Sequence, residues 1–122
     1  MKKYNIQNYI RYKNDIEQAI KRVPNKNYHE YSRKELTILF LPLVENIARK
    51  FSTSQQASGV MTIMDMIQSG SLGLVQAVKK LDYSKLEESE DMEKTLKSFF
   101  SKRIKGSIRR QIDMNRGNIR IP

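Results

Sequence analysis

The last part of the sequence is crowded with cationic side chains, which could bind the phosphates of a nucleic acid. Between Lys97 and Arg120 there are eight Lys and Arg residues and one Asp, so this stretch carries +7 of the net charge of +10. Cations of this kind neutralise phosphates and supply most of the sequence-independent affinity of nucleic-acid-binding proteins. We therefore expect nucleic acid as a partner.

Phe99 lies among these cations. Successive residues of a helix are rotated by about 100°, which divides the segment into one apolar stripe and two basic stripes. The apolar stripe, expected to face the core, comprises Leu96, Phe100, Ile104, Ser107, Ile108 and Ile112. The basic stripes comprise Lys102, Lys105, Arg109 and Arg116 on one flank and Arg103 and Arg110 on the other.

This arrangement places Phe99 between the basic flanks and roughly opposite the core, where it could stack on an unpaired base. Such stacking is worth ~1–3 kcal/mol per base. In the alternative interpretation the charges form a solvated face, and Phe99 packs against another helix or a loop. Gly106 costs a helix interior ~1 kcal/mol relative to alanine, which indicates close approach of a partner or a tight helix crossing.

Four helical stretches with loops between them are expected to position these residues. Their approximate bounds are 4–23, 32–51, 63–83 and 94–115. Pro24 is expected to end the first helix, and Ser32 and Glu35 to form a capping box at the start of the second helix. Pro42 is expected to kink the second helix or to displace its start. A break is expected in the third helix around Gly70. Residues 52–60 and the acidic connector 82–94 are predicted to be loops. The fold class is all-α, a compact bundle of about four to five helices in one domain.

Several function classes are excluded or disfavoured by composition. There is no Cys and only one His, which leaves no thiolate metal site and no zinc site. Neither a nucleophile with its base nor paired carboxylates are visible, so we expect no enzyme and no cofactor. No apolar run reaches the ~20 residues of a membrane span, and the N-terminus lacks a secretory signal, which favours a cytoplasmic protein. Met61, Met64 and Met66 fill the core or offer a soft contact surface.

At residues 65–78, DMIQSGSLGLVQAV, followed by LDY at 81–83, the sequence resembles the polymerase-binding segment of bacterial sigma factors of the sigma-70 family. Residues 43–51 resemble the preceding helix of that family, and 103–108 with 119–122 resemble its promoter-melting and promoter-reading helix. The three segments occur in the family's order and approximate spacing. The likeness covers about 36–122, so we divide the chain into a helix with linker (1–31) and a region similar to sigma domain 2 (32–122).

The resemblance implies an initiation factor that docks on the clamp helices of the polymerase β′ subunit, through about 63–83. It also implies capture of the non-template single strand of the promoter minus-ten element, through about 94–122, without ATP. The residues that would contact polymerase are Asp65, Met66, Gln68, Ser69, Ser71, Leu72 and Val75. The residues that would contact DNA are Lys97, Ser98, Phe99, Lys102, Arg103, Lys105, Gly106, Arg109, Arg110, Arg116 and Arg120, with Phe99 matching the aromatic that stacks on the flipped adenine.

The chain departs from the family's primary members at several positions. Lys102 and Arg103 replace a tryptophan pair, Gly106 and Arg109 replace polar side chains that read the upstream base pair of the element, and Phe40 replaces an asparagine. We therefore expect a promoter preference different from the housekeeping consensus. No minus-35-reading domain follows Pro122, which suggests a fragment or a minimal factor, as in some bacteriophages, that relies on a co-activator.

Two rival functions belong to other classes. An anti-sigma or decoy protein would keep the docking helix but has no need of Phe99, Arg103 and Arg110. A nonspecific helical single-strand binder would not require residues 65–78.

Overall fold

The fold is all-α, as the sequence predicts, and a computed structural model describes residues 2–53 and 61–120, with side chains for 7–53 and 61–115. Within these ranges the chain forms six α-helices and one 3₁₀ turn, and no strand. The helices are α1 (Lys2–Lys21), α2 (Arg33–Leu39), α3 (Leu41–Ser52), α4 (Ile63–Lys79), α5 (Tyr83–Glu87) and α6 (Met92–Arg120); the 3₁₀ turn is Tyr28–Glu30. None of the described helices has the length and apolarity needed to cross a membrane.

Side-chain caps define where α2 and α4 begin. The Ser32 hydroxyl accepts from the Glu35 amide at 3.1 Å, and the Glu35 carboxylate accepts from the Ser32 amide at 2.9 Å, which confirms the predicted capping box. The backbone donor at Ser32 holds the pKa of Glu35 below its usual value. Thr62 and Asp65 form the same reciprocal pair at α4, with both distances 3.1 Å. Because each pair satisfies otherwise unpaired amides, it fixes the first turn of its helix.

Pro42 lies in the first turn of α3, where its missing amide hydrogen is not needed. The predicted second helix is therefore two helices, α2 and α3, which meet at Phe40. The sequence predicts a kink or a displaced start at Pro42; the helix instead begins at the predicted Ser32 cap and is divided at Phe40.

Two boundary predictions are wrong. The helix α4 continues through Gly70 without a break, and it ends at Lys79 rather than near residue 83. The acidic connector contains the short helix α5, where the Asp82 carboxylate accepts from the amides of Ser84 and Lys85 at 3.0 and 3.4 Å. The side chain of Leu86 is 1% exposed and anchors α5 to the core. In the predicted loop 52–60, residues 54–60 lie outside the described residues.

The helices α4 and α6 cross at very short distance through two glycines of α4. A Cβ at Gly73 would lie 2.8 Å from Ser107 Cβ and 2.9 Å from the Arg103 carbonyl oxygen of α6. A Cβ at Gly70 would lie 2.9 Å from Val44 Cγ1. The Ser107 hydroxyl donates to the Ser69 carbonyl at 2.7 Å and so links a side chain of α6 to the backbone of α4. The tight crossing therefore lies at Gly73. A Cβ added at Gly106 would meet no neighbouring atom within 4 Å.

The core is built on the predicted apolar stripe of α6. Leu96, Phe100, Ile104 and Ile108 are fully buried, and Ile112 is 4% exposed. The ring of Phe100 meets that of Phe40 edge to face, with centroids 5.0 Å apart. Met66 and Met61 are buried in the same cluster, which confirms the core-filling interpretation for these two methionines.

Arg33 of α2 caps the carboxyl end of α4. Its guanidinium donates to the carbonyls of Val78, Lys79 and Leu81 and lies 5.1 Å from the centroid of the Tyr83 ring. A cation at this end also complements the helix dipole. Arg33 therefore holds α2, the end of α4 and the start of α5 together.

The N-terminal helix α1 is attached through a nearly buried carboxylate of α3. The Tyr9 hydroxyl donates to Glu45 Oε2 at 2.7 Å, and Arg49 Nε and Lys13 Nζ lie 3.4 and 3.9 Å from the same oxygen. Burial, reinforced by this hydrogen bond, raises the pKa of Tyr9 to about 12. Ile16 of α1 is also buried, so α1 packs onto the bundle with both apolar and polar contacts.

The two glycines Gly73 and Gly106 provide a matched test of the crossing. We expect Gly73→Ala to destabilise the protein by ~1–3 kcal/mol, because the added methyl would overlap the backbone of α6. Gly106→Ala is expected to stabilise it by ~0.5–1 kcal/mol, because alanine has the higher helix propensity and meets open space. Urea unfolding midpoints measure both, and equal midpoints for the two variants would contradict the packing argument.

Candidate nucleic-acid and partner surfaces

The exposed cations of α6 form one continuous surface, which we call the basic face. It comprises Lys102, Arg103, Lys105, Arg109 and Arg110, all exposed. None of these five forms an ion pair with another residue in the described part of the chain. Their charges are therefore available to phosphates.

The other predicted DNA contacts on α6 differ in their exposure and in whether they form ion pairs. Lys97 is exposed and pairs with Glu93 at 3.2 Å, one helical turn earlier. Since exposed pairs of this kind contribute little stability, a phosphate could displace the carboxylate. Ser98 is exposed and Gly106 is half-buried. The side chains of Arg116 and Arg120 lie outside the described residues.

The predicted position of Phe99 opposite the core is wrong. Its ring is half-buried against the core, with its centroid 5.7 Å from that of Phe100, because α5 and the end of α4 lie beside this flank of α6. The alternative interpretation, in which Phe99 packs against neighbouring elements, is thus correct for the buried part of the ring. Arg103 of the basic face lies 5.7 Å from the Phe99 centroid, so the aromatic remains next to a cation.

The accessible part of Phe99 lines a mainly apolar groove of about 290 Å³, which we call the aromatic groove. Its lining residues are Lys80, Leu81, Asp82, Lys85, Leu86, Thr95, Leu96 and Phe99. The volume lies near the lower end of the usual range for small-molecule sites, ~300–1,000 Å³. A flat ring could enter between apolar walls while the two exposed lysines attract an attached phosphate.

Sequence reasoning missed Lys80 and Lys85 as parts of this site. Each comes from an element other than α6, and a helical wheel drawn for α6 cannot include them. Arg109 does connect α6 with α3, because its guanidinium lies 5.8 Å from the centroid of the Phe51 ring.

A second surface is formed by the exposed side chains of α4. Asp65, Gln68, Leu72 and Gln76 are exposed there, and we call them the outer face of α4. Leu72 is 57% exposed, which is unusual for a large apolar side chain in the middle of a helix. Ile10 and Met114 are exposed to a similar degree, so the exposure of Leu72 does not by itself mark an interface.

Three further predicted polymerase contacts, Ser69, Ser71 and Val75, are half-buried beside this face. The prediction that Met66 contacts polymerase is wrong, because Met66 is completely buried in the core and cannot touch a partner. Asp65 is exposed, but its carboxylate caps α4 through the Thr62 amide. Replacing Asp65 by alanine is therefore expected to cost ~0.3–1.5 kcal/mol of stability in addition to any effect on a partner.

No group of His, Cys, Asp and Glu side chains within the described ranges could hold a metal ion. Comparison of the chain with protein-family models, curated proteins and solved structures finds no match.

We expect the basic face to bind single-stranded DNA through phosphates. Replacing Lys105 and Arg109 together by glutamine should reduce the salt slope of binding to a labelled oligothymidine by about 1.4, because each phosphate contact on a single strand contributes ~0.7. Fluorescence anisotropy at several salt concentrations measures this slope. Glutamine at both Lys21 and Arg22, exposed cations near the end of α1, is the matched control. An equal change in the control would show that net charge alone is responsible.

Proposed function

We propose that this protein is a transcription initiation factor of the sigma type, which binds core RNA polymerase and opens the promoter minus-ten element by capturing one unpaired strand. The observation that carries the proposal is the combination on α6 of an unpaired basic face with the aromatic groove beside it. Such a factor would act in the bacterial cytoplasm, encoded by a bacterium or a bacteriophage. A co-activator would supply contacts upstream of the minus-ten element.

In the proposed mechanism the unpaired strand follows α6. The basic face holds its phosphates, and one base turns out of the stack into the aromatic groove, where it contacts Phe99. Turning a base out of a duplex costs a few kcal/mol. Stacking on an aromatic ring and charge-assisted contacts to phosphate offset that cost.

The outer face of α4 supplies the proposed polymerase contact. Leu72 would be the apolar anchor, with Gln68 and Gln76 as polar neighbours. Because Gly70 and Gly73 hold α4 tightly on α6, docking at the outer face would also fix the orientation of the basic face relative to the polymerase.

The rival functions each leave one surface unexplained. A decoy that only occupies polymerase gives no reason for five unpaired cations beside an aromatic groove. A nonspecific strand binder gives no reason for the likeness of residues 65–78, which include the outer face of α4, to a polymerase-binding segment.

The polymerase contact is tested by Leu72→Asp in the full chain. We expect at least about a tenfold loss of affinity for purified bacterial core RNA polymerase, since an apolar anchor at an interface contributes ~2 kcal/mol or more. Ile10→Asp is the matched control, because Ile10 is 52% exposed on α1 and lies outside the proposed interface. Equal affinities for the two variants, measured by competition binding, would contradict the docking assignment.

The strand-capturing role is tested at Phe99 with variants that separate packing from stacking. Phe99→Leu keeps an apolar side chain against the core but removes the ring, and Phe99→Tyr keeps the ring. We expect Phe99→Leu to bind polymerase normally and to reduce the permanganate reactivity of promoter thymines about tenfold, corresponding to a stacked base worth ~1–3 kcal/mol. Phe99→Tyr should restore it. Normal opening by Phe99→Leu would contradict the stacking role of Phe99, whereas polymerase binding by the wild type without any opening would favour the decoy.

A further inference from the structure

The N-terminal helix α1 lies beside the outer face of α4. It packs against α2 and α4. Tyr12 of α1 is half-buried, and its hydroxyl lies next to Ser71, one of the half-buried residues at the edge of the outer face. Burial raises the pKa of Tyr12, and the neighbouring Ser71 side chain offsets part of that rise. The helix α1 therefore occupies the space beside Ser71 that a protein on the outer face of α4 would enter.

The attachment of α1 to the bundle is small for a helix of 20 residues. Between residues 7 and 21, Ile16 is the only buried side chain, and it does not belong to the main core cluster. The half-buried rings of Tyr9 and Tyr12 pack against the edge of that cluster. The two cations that approach Glu45 are 44% and 53% exposed, and exposed ion pairs contribute little stability. A helix with so few buried contacts opens at a lower free energy than the rest of the protein.

Two tyrosine hydroxyls of α1 affect this attachment with opposite signs. The Tyr9 hydroxyl donates to Glu45 at 2.7 Å and stabilises the packed position, since a hydrogen bond to a carboxylate is stronger than one between neutral groups. The Tyr12 hydroxyl is buried and makes no hydrogen bond of normal geometry within the described residues. A buried donor without a good partner destabilises the packed position, because the hydroxyl regains its hydrogen bonds to water when α1 moves away.

We propose that α1 is a detachable cover over the Ser71 side of the outer face of α4, and that a protein docking on this face displaces it. The identity of that protein as core polymerase rests on the proposed function, whereas the covering of Ser71 does not. When only the open form binds, the apparent affinity falls in proportion to the fraction of open molecules. Changes that loosen α1 therefore raise the affinity for the partner, and changes that tighten α1 lower it.

The cover is tested first without a partner, through a single thiol. The chain contains no Cys, so Ser71→Cys supplies one reactive group, and the rate of its alkylation by iodoacetamide reports how often α1 opens. In this background we expect Tyr9→Phe to raise the rate about tenfold, because a hydrogen bond to a charged group is lost. Tyr12→Phe should lower it severalfold, because the unpaired buried hydroxyl is removed.

Each of these two substitutions removes one oxygen atom and keeps the aromatic ring, so each is the matched control of the other. Gln76→Cys, at an exposed position of the same helix, controls for general effects on thiol reactivity and should react equally fast in both backgrounds. Equal alkylation rates of Ser71→Cys with Tyr9→Phe and with Tyr12→Phe would overturn the proposal.

The link between the cover and docking is tested by competition binding to purified core polymerase. We expect Tyr9→Phe to bind severalfold more tightly than the wild type and Tyr12→Phe to bind severalfold more weakly. Both changes leave the net charge and every side chain of α4 unaltered. A covalent lock is the complementary test. Tyr9→Cys with Glu45→Cys, bridged by a short bismaleimide, should bind at least about tenfold more weakly than the same variant with each thiol capped by N-ethylmaleimide.

The outcomes separate this proposal from the proposed function. If Leu72→Asp weakens polymerase binding while Tyr9→Phe and the bridged variant bind as their controls do, docking stands and the displacement of α1 is wrong. If Tyr9→Phe weakens binding and the bridge strengthens it, α1 is part of the docking site and the proposal is overturned. If alkylation at residue 71 responds as expected but the wild type does not bind polymerase, the cover is supported and the proposed function is overturned.

Discussion

The close contact between α4 and α6 is the constraint on which the rest of the structure depends. Gly73 brings the α4 backbone so near to α6 that a single methyl group would lie 2.9 Å from the Arg103 carbonyl oxygen. This approach allows Ser107 to bond across to Ser69 and allows Ile104 and Ile108 to fill the space beside Gly70. Both candidate surfaces lie on these two helices, and the crossing fixes their relative position.

The two helices that cross carry different kinds of exposed side chains. On α6 the exposed side chains next to it are Lys and Arg, whereas the outer face of α4 combines Leu72 with amides and one carboxylate. A polyanion is attracted to the first surface. In the proposed function, the DNA strand and the polymerase would therefore contact different helices. Arg33 and the Glu45 cluster stabilise this arrangement from outside, at the end of α4 and under α1.

Features that depend on one helix at a time could be predicted from the sequence, and those that depend on neighbouring elements could not. The apolar stripe of α6 and the Ser32 capping box follow from local spacing, and both are confirmed. The prediction of a helix break at Gly70 is wrong because a glycine can either make the backbone flexible or allow another helix to pack closely. Only the packing of neighbouring helices shows which of these roles a glycine has. Leu86 was a single apolar residue among acids, too little to predict α5. Phe99 was placed on the solvent side because a helical wheel does not contain α5.

The energetics of the proposed strand capture explain why both surfaces are needed. Separating DNA costs ~1.4 kcal/mol on average for each base-pair step, so opening several pairs exceeds the ~1–3 kcal/mol that one base stacked on Phe99 returns. Phosphate contacts with the basic face must supply much of the difference, and they weaken as salt screens them. Docking through α4 raises the local concentration of the basic face at the promoter without any new contact to DNA. By this argument the chain alone captures a strand that is already unpaired, and melting of a duplex requires the partner on the outer face of α4.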